Sequence, residues 1–325
     1  MASGRWIDYP AIMVCIMLLM ASCRSDRSGK QQNIDRKDTS LNEKHEEINE
    51  IKNVYYLCPS PSEMLEVIGV TNLEFDEKLP NSVELADRYL DDRTITINLG
   101  VYASDLAYCA VFGRHEQVIN LLEAVQNSTK KIHLSGATGQ QFAERVRQNI
   151  GSLDSLHKIS DEAFIDLLEF CEKNQRYNTM VLISAGAFIE SLYLAIEMAG
   201  EYNPDNYLVQ HLADQKLVLD NLVAFAASHS EDPGVAWTLE ILKPVEDIYD
   251  RLDKSVTKTN VKKDNPDHLL ITGGIKINFS DEQYIKLLST ITEIRNKITL
   301  NENNQMLSFW PVTILGHGII CPGLR

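Results

Sequence analysis

From about residue 58 onward, apolar residues recur every three or four positions, in blocks separated by polar turns. This is the spacing of amphipathic helices. Ser60-Pro61-Ser62-Glu63 opens the first helix with a capping serine, a proline in the first turn and a glutamate at N3, and the pattern runs to about Ile68. A loop over 71–80 and a short helix over 82–91 follow. Thr94–Phe112 reads as a long apolar helix stopped by Gly113, His115–Gln126 as an amphipathic one, and Gly139–Ile150 as a more polar one. Ser160-Asp161-Glu162 opens a helix to about Asn174, its acids complementing the helix dipole. Thr179–Ala199 is apolar on nearly every side and belongs at the centre. Asn206–Ser228 and Gly234–Lys254 continue the series, the second with a kink at Pro244. The capping box Ser280-Asp281-Glu282-Gln283 starts a last helix to about Ile298.

One stretch changes period. Val256–Thr259 and Ile275–Asn278 alternate, and Leu269–Thr272 followed by Gly273-Gly274 reads as a strand and tight turn, so a small hairpin or meander is expected over about 255–279. The predicted fold class is all-α: a multi-helix bundle or array over 53–300, with a small β-hairpin inserted before the last long helix. The tail 301–325 carries no charge from Asn303 to Leu324 and is strongly apolar at Phe309–Val312 and Ile314-Leu315; it is given no role.

The N-terminus follows a different pattern. The apolar run Ala11–Ala21 is shorter than the roughly 20 residues that cross a bilayer. It has the length of a signal-peptide core, with small residues before the expected cut. Met20-Ala21-Ser22-Cys23 resembles the lipobox of bacterial lipoproteins. That resemblance implies that 1–22 is removed and that Cys23 is acylated, palmitate included, to become the new N-terminus. One acyl chain holds a protein to a membrane only marginally; the three that the lipobox implies suffice. No second stretch is expected to reach spanning length. Residues 23–52 hold seven Lys/Arg against seven Asp/Glu and few bulky apolar side chains, and read as a tether, helical from about Leu41.

Charge narrows the partners. The net charge of −15 falls on 53–325, because the signal and the tether are each neutral. An acidic body has no electrostatic footprint for nucleic acid. It is also repelled by anionic headgroups, which leaves the anchoring to the lipid. No cofactor or metal site is expected. His45-Glu46 and His115-Glu116 lack the second histidine of a zinc helix, and the other histidines are scattered. Ser135-Gly136-Ala137-Thr138-Gly139-Gln140 has no lysine to hold a phosphate and reads as a loop and helix cap. Asp154-Ser155-Leu156 resembles a short O-glycosylation motif, here expected in a loop. Of the cysteines left after the signal, Cys58, Cys109, Cys171 and Cys321 form no Cys-x-x-Cys pair, and Cys109 and Cys171 are expected to be buried as small hydrophobes.

Two helices share an internal logic. Gly100, Ala103, Ala107 and Ala110 form a small-residue face on one; Ala187, Ser191, Ala195 and Ala199 do so on the other. Each carries a carboxylate and a tyrosine one turn apart, Asp105-x-x-Tyr108 and Glu190-x-x-Tyr193, at an offset of 85 residues that hints at a duplicated unit. A carboxylate buried in such a helix needs a partner. Asn98, Tyr102 and Tyr108 are within two turns of Asp105. Asn98, Tyr102, Asp105, Tyr108, Glu190 and Tyr193 are therefore the candidate site. The first reading is a structural network locking the helices, the second a polar ligand pocket, and the third a glycosidase-like acid pair. No residue is assigned a catalytic role.

Cys58-Pro59-Ser60-Pro61, Asn98–Tyr108 (NLGVYASDLAY) and Gly186–Tyr193 (GAFIESLY) resemble segments of a family of helical lipoproteins from Bacteroidetes, over about 53–298. The resemblance implies an all-helical periplasmic body, with no activity established for the family. Surface-displayed lipoproteins of such bacteria often carry acids just after the cysteine; Arg24-Ser25-Asp26-Arg27 has one, which favours the periplasmic face of the outer membrane. The expected role is a lipid-anchored binding or scaffolding module for an envelope protein, glycan or peptide. The alternative is a glycan-directed envelope hydrolase using Asp105 and Glu190.

Overall fold

The chain's computed structural model describes residues 60–69, 71–137, 140–149, 151–265 and 268–300. The signal, Cys23, the tether, Cys58, Cys321 and the tail lie outside the described residues. The elements run α1 (Pro61–Gly69), a 3-10 turn (Val83–Asp87), α2 (Asp92–Val111), α3 (His115–Lys131), α4 (Gln140–Asn149), α5 (Leu153–Lys173), α6 (Tyr177–Ala199), α7 (Tyr207–Asp214), α8 (Lys216–Ala227), α9 (Pro233–Tyr249), β1 (Asp253–Asn265), β2 (His268–Asn278) and α10 (Asp281–Thr299). The fold class is all-α with one antiparallel two-stranded hairpin.

Two apolar helices form the axis. Asp91 caps α2 by accepting from the Thr94 amide at 2.9 Å, and the helix buries Ile97, Leu99, Val101 and Tyr102, which compensates for its β-branched first turns. By length and composition α6 could cross a membrane: it is 23 residues long, with a mean hydropathy of 1.8 in its most apolar window. This departs from the expectation that no second stretch is long enough. In the fold 94% of that window is buried, so α6 serves as the core helix.

The two axes touch backbone to backbone. A Cβ placed on Gly100 would lie 2.0 Å from the Ile183 carbonyl oxygen, and one on Gly186 would lie 1.9 Å from that of Ile97. These contacts exchange under a shift of 86 residues, one more than the offset between the two carboxylates, so the helices meet about a local two-fold. The small-residue faces predicted on both helices thus include the contact, although Gly186, one of its two centres, was not among them.

One apolar cluster gathers α1 to α5 against α2 and one side of α6; a second gathers α7 to α10 against the other side of α6. Asp232 and Pro233 start α9, with Asp232 Oδ1 accepting from the Gly234 amide at 2.8 Å. The capping box of α10 is formed, Ser280 and Gln283 bonding each other's backbone amides at 3.2 and 2.8 Å. Gly113 stops α2 at φ 62°.

Several boundaries differ from expectation. The helix predicted over 82–91 is a single 3-10 turn, Val83–Asp87. Helix α5 begins at Ser152, whose hydroxyl caps the Ser155 amide, so Ser160-Asp161-Glu162 is interior and Asp154-Ser155-Leu156 lies in the first turn rather than a loop. Asp161 instead accepts a hydrogen bond from Ser60, a partner 101 positions away. The helix predicted over 206–228 breaks at Gln215, whose amide turns back to the Leu212 carbonyl in a tightened last turn. Helix α9 carries Pro244 inside it and ends at Tyr249, because the chain enters β1 at Asp253. Gly273 and Gly274 are not the hairpin turn. They lie within β2, opposite a register shift between Thr257 and Asn260, where glycine accommodates a bulge.

Candidate functional site

The two predicted carboxylates meet at the α2–α6 crossing. Asp105 and Glu190 are both 0% exposed and lie close enough for each to perturb the other's ionisation. Sequence reasoning missed the third member, Arg295 on α10. Its Nε donates to Glu190 Oε2 at 3.1 Å, its Nη2 to Glu190 Oε1 at 3.3 Å and to the Leu79 carbonyl at 3.1 Å, and the guanidinium lies 4.7 Å above the Tyr193 ring. The Arg295 side chain is 13% exposed.

The protonation state follows from this geometry. Burial and the facing Glu190 charge push the Asp105 carboxyl well above the usual carboxylate range. Burial raises Glu190 too, but Arg295 pulls it back. Of the two acids, Asp105 is the one that the surroundings bias toward its neutral form. Asp105 Oδ1 has no hydrogen-bond partner among the described residues. The arrangement is an acid biased toward neutrality beside a carboxylate paired with a guanidinium.

A loop closes over it. Asp105 Oδ2 accepts from the Asn81 amide at 3.0 Å; the Asn81 side chain donates to Tyr89 Oη at 3.1 Å, and Tyr89 donates to the Thr299 carbonyl at 2.9 Å. Tyr102 donates to the Ser82 carbonyl at 3.0 Å. Asn98 lies further along α2 and donates to the Ile298 carbonyl at 2.7 Å, its Oδ1 unpartnered among the described residues. Tyr108 is one turn beyond Asp105, where it accepts from the Asp76 amide at 3.0 Å and touches Met198 Sδ at 3.3 Å. The structure thus brings Asp105, Glu190 and Tyr193 together around Arg295, and sets Tyr102, Asn98 and Tyr108 on neighbouring threads of the same polar seam. Arg295 had a legible signal: at four residues after Ile291 and three before Ile298, it falls inside the apolar stripe of its helix. Asn81 and Tyr89 sit in a loop and had none.

A concavity among the described residues lies elsewhere, on another face of α6. A cleft of about 80 Å³ opens between the first turn of α1, the middle of α6, and the α7–α8 junction. Met64, Phe188 and Leu222 give it apolar walls; Ser184, His211 and Gln215 give it polar ones, and Glu63 stands at its edge. Ser191, also on its wall, donates to Ser104, which donates to the Ala187 carbonyl, so α2 supports the cleft from behind. No group of His, Cys, Asp and Glu able to hold a metal occurs among the described residues. Cys109 and Cys171 are free and buried, as expected.

No protein family, curated protein or solved structure matches this chain.

Proposed function

We propose that the chain is a binding module of the cell envelope, tethered by acyl chains on Cys23 to the outer membrane and facing the periplasm. The resemblance of Met20–Cys23 to a lipobox supports the anchor, and the acidic body leaves anchoring to lipid. The resemblance of three segments to Bacteroidetes lipoproteins supports the compartment.

The observation that carries the binding role is the closure of the Asp105–Glu190–Arg295 cluster at full burial, while the mixed polar and apolar cleft beside α1 stays open. A glycosidase pair needs carboxyl groups about 5–9.5 Å apart with a sugar or water between them. Here neither acid has accessible surface, and both Glu190 oxygens are taken up by Arg295. That arrangement favours a lock between helices over a hydrolase, and leaves the cleft as the seat of recognition.

Two measurements test this. Cys23→Ala is expected to move the protein from the membrane to the soluble fraction; unchanged membrane association removes the anchor from the proposal. Native mass spectrometry of protein drawn from its own membranes is expected to show a bound small molecule in the wild type and none in Val218→Trp, which fills the cleft. Equal loading of both proteins sinks the cleft as the binding seat.

A further inference from the structure

The walls of the cleft say what class of ligand suits it. On the α6 side Ser184 is 5% exposed and its hydroxyl has no hydrogen-bond partner among the described residues. A buried serine in mid-helix ordinarily returns its proton to a carbonyl one turn back. On the opposite wall, the Gln215 amide nitrogen lies 3.3 Å from both His211 Nε2 and the His211 carbonyl oxygen. The Gln215 amide donates to the His211 carbonyl, and its own carbonyl oxygen is an acceptor. Burial holds the His211 ring below the ordinary histidine pKa, against the pull of Asp214 and Glu63, so the ring carries no positive charge near neutrality. Glu63 is exposed at the edge, and the whole body is acidic. The polar side of the cleft therefore offers acceptors and negative charge and no cation, with the Ser184 hydroxyl and the neutral His211 ring able to donate as well as accept. Its remaining wall is hydrocarbon and one aromatic ring, Met64, Leu222 and Phe188.

We propose that this cleft binds a small organic cation, an amine or substituted ammonium on a compact hydrocarbon body. The inference rests on the reading of the cleft as the binding seat. The hydrocarbon lies against Met64, Phe188 and Leu222. The ammonium head faces Glu63 and the Gln215 carbonyl oxygen, with the Phe188 ring adding its attraction for a cation. A carboxylate or phosphate ligand meets Glu63 with like charge, and a neutral alcohol gains hydrogen bonds without the ionic attraction.

The experiment uses the full chain in detergent micelles and three probes that share one body: cyclohexylammonium, cyclohexanol and cyclohexanecarboxylate. Binding is read by titration calorimetry on wild type, Glu63→Gln, and Val218→Trp, with Val218→Phe as a smaller plug if the tryptophan unfolds the protein. Glu63 is exposed, so its variant keeps the fold and, with the comparison among the three probes, tests the charge claim: unchanged ammonium binding in Glu63→Gln also overturns it. Cyclohexylammonium is expected to bind most tightly and to weaken up to about five-fold in Glu63→Gln, the scale of an exposed ion pair. Cyclohexanol is expected to be unaffected by that change, and the plugs to remove all binding. If cyclohexanol or the carboxylate binds as tightly as the ammonium, the cation assignment is overturned while the cleft stays a ligand site. If no probe distinguishes wild type from the plugged variants, the cleft itself is lost, and the proposed function with it.

Discussion

Glu190→Gln keeps the shape of the central cluster and removes the one negative charge that Arg295 faces. Two guanidinium bonds, at 3.1 and 3.3 Å, end on that carboxylate. The Arg295 side chain is 13% exposed and cannot recover its solvation without moving α10. Removing one partner of a buried ion pair costs about 3–5 kcal/mol. The glutamine oxygen can still accept one bond, which places the expected loss near the lower figure, about 3 kcal/mol. For a fold of this size that is a fall in melting temperature of about 6–12 °C. Asp105→Asn is the matched control. Its oxygen still accepts from the Asn81 amide, at 3.0 Å in the native protein, and its neutral amide removes the like charge facing Glu190. It is expected to melt at or above the wild-type temperature. Thermal unfolding of the full chain by circular dichroism at pH 7 reads both. If the two variants lose stability equally, or if Glu190→Gln shifts the midpoint by less than about 2 °C, the account of a neutral-biased acid beside a buried ion pair is wrong.

The same cluster predicts a pH dependence. The Asp105 pKa in the folded protein is raised above its ordinary 3.8, so the stability it contributes is complete below that value and declines as pH rises toward the folded pKa, by at most about 1.4 kcal/mol per pH unit. Urea unfolding between pH 5 and 9 should show wild type losing ground to Asp105→Asn; parallel curves contradict it. Gly100→Ala and Gly186→Ala place a methyl where a carbonyl oxygen lies 2.0 or 1.9 Å away, against a normal carbon–oxygen contact of about 3.3 Å. The helices must part by over ~1 Å, and a loss of about 3 kcal/mol or more is expected for each, read as melting temperature; near-native stability would mean the axis is not closed there. Ser280→Ala removes half of a capping box and should cost about 1 kcal/mol in chemical denaturation. Burial pushes the Cys171 thiol up to about 11, and Cys109 further, so a maleimide should label both only in denaturant.

Much of the fold was written locally. Asp91, Asp232 and Ser280 satisfy the first amides of their own helices, and Gly113 adopts the left-handed turn that ends α2, so several helix termini follow from neighbours within four residues. The apolar wrap of Thr179–Ala199 required a central position, and the carboxylates at Asp105 and Glu190 required partners. What local pattern could not show is who those partners are. Arg295 reaches Glu190 across 105 residues and Asn81 reaches Asp105 from a loop, so neither is implied by spacing on a helix. Competing local signals needed the fold as well: Ser160-Asp161-Glu162 has the composition of a helix start, yet the helix begins at the Ser152 cap, and Ser160 is buried while Asp161 accepts from Ser60, 101 positions away. The cleft is wholly a product of packing, since α1, α6 and the α7–α8 junction come together only when the helices are assembled. Hydrogen bonds to the nearest backbone amides are fixed by sequence order. The protonation of a buried acid, the pairing of its charge and the space left between helices depend on solvent exclusion, which only the folded chain creates.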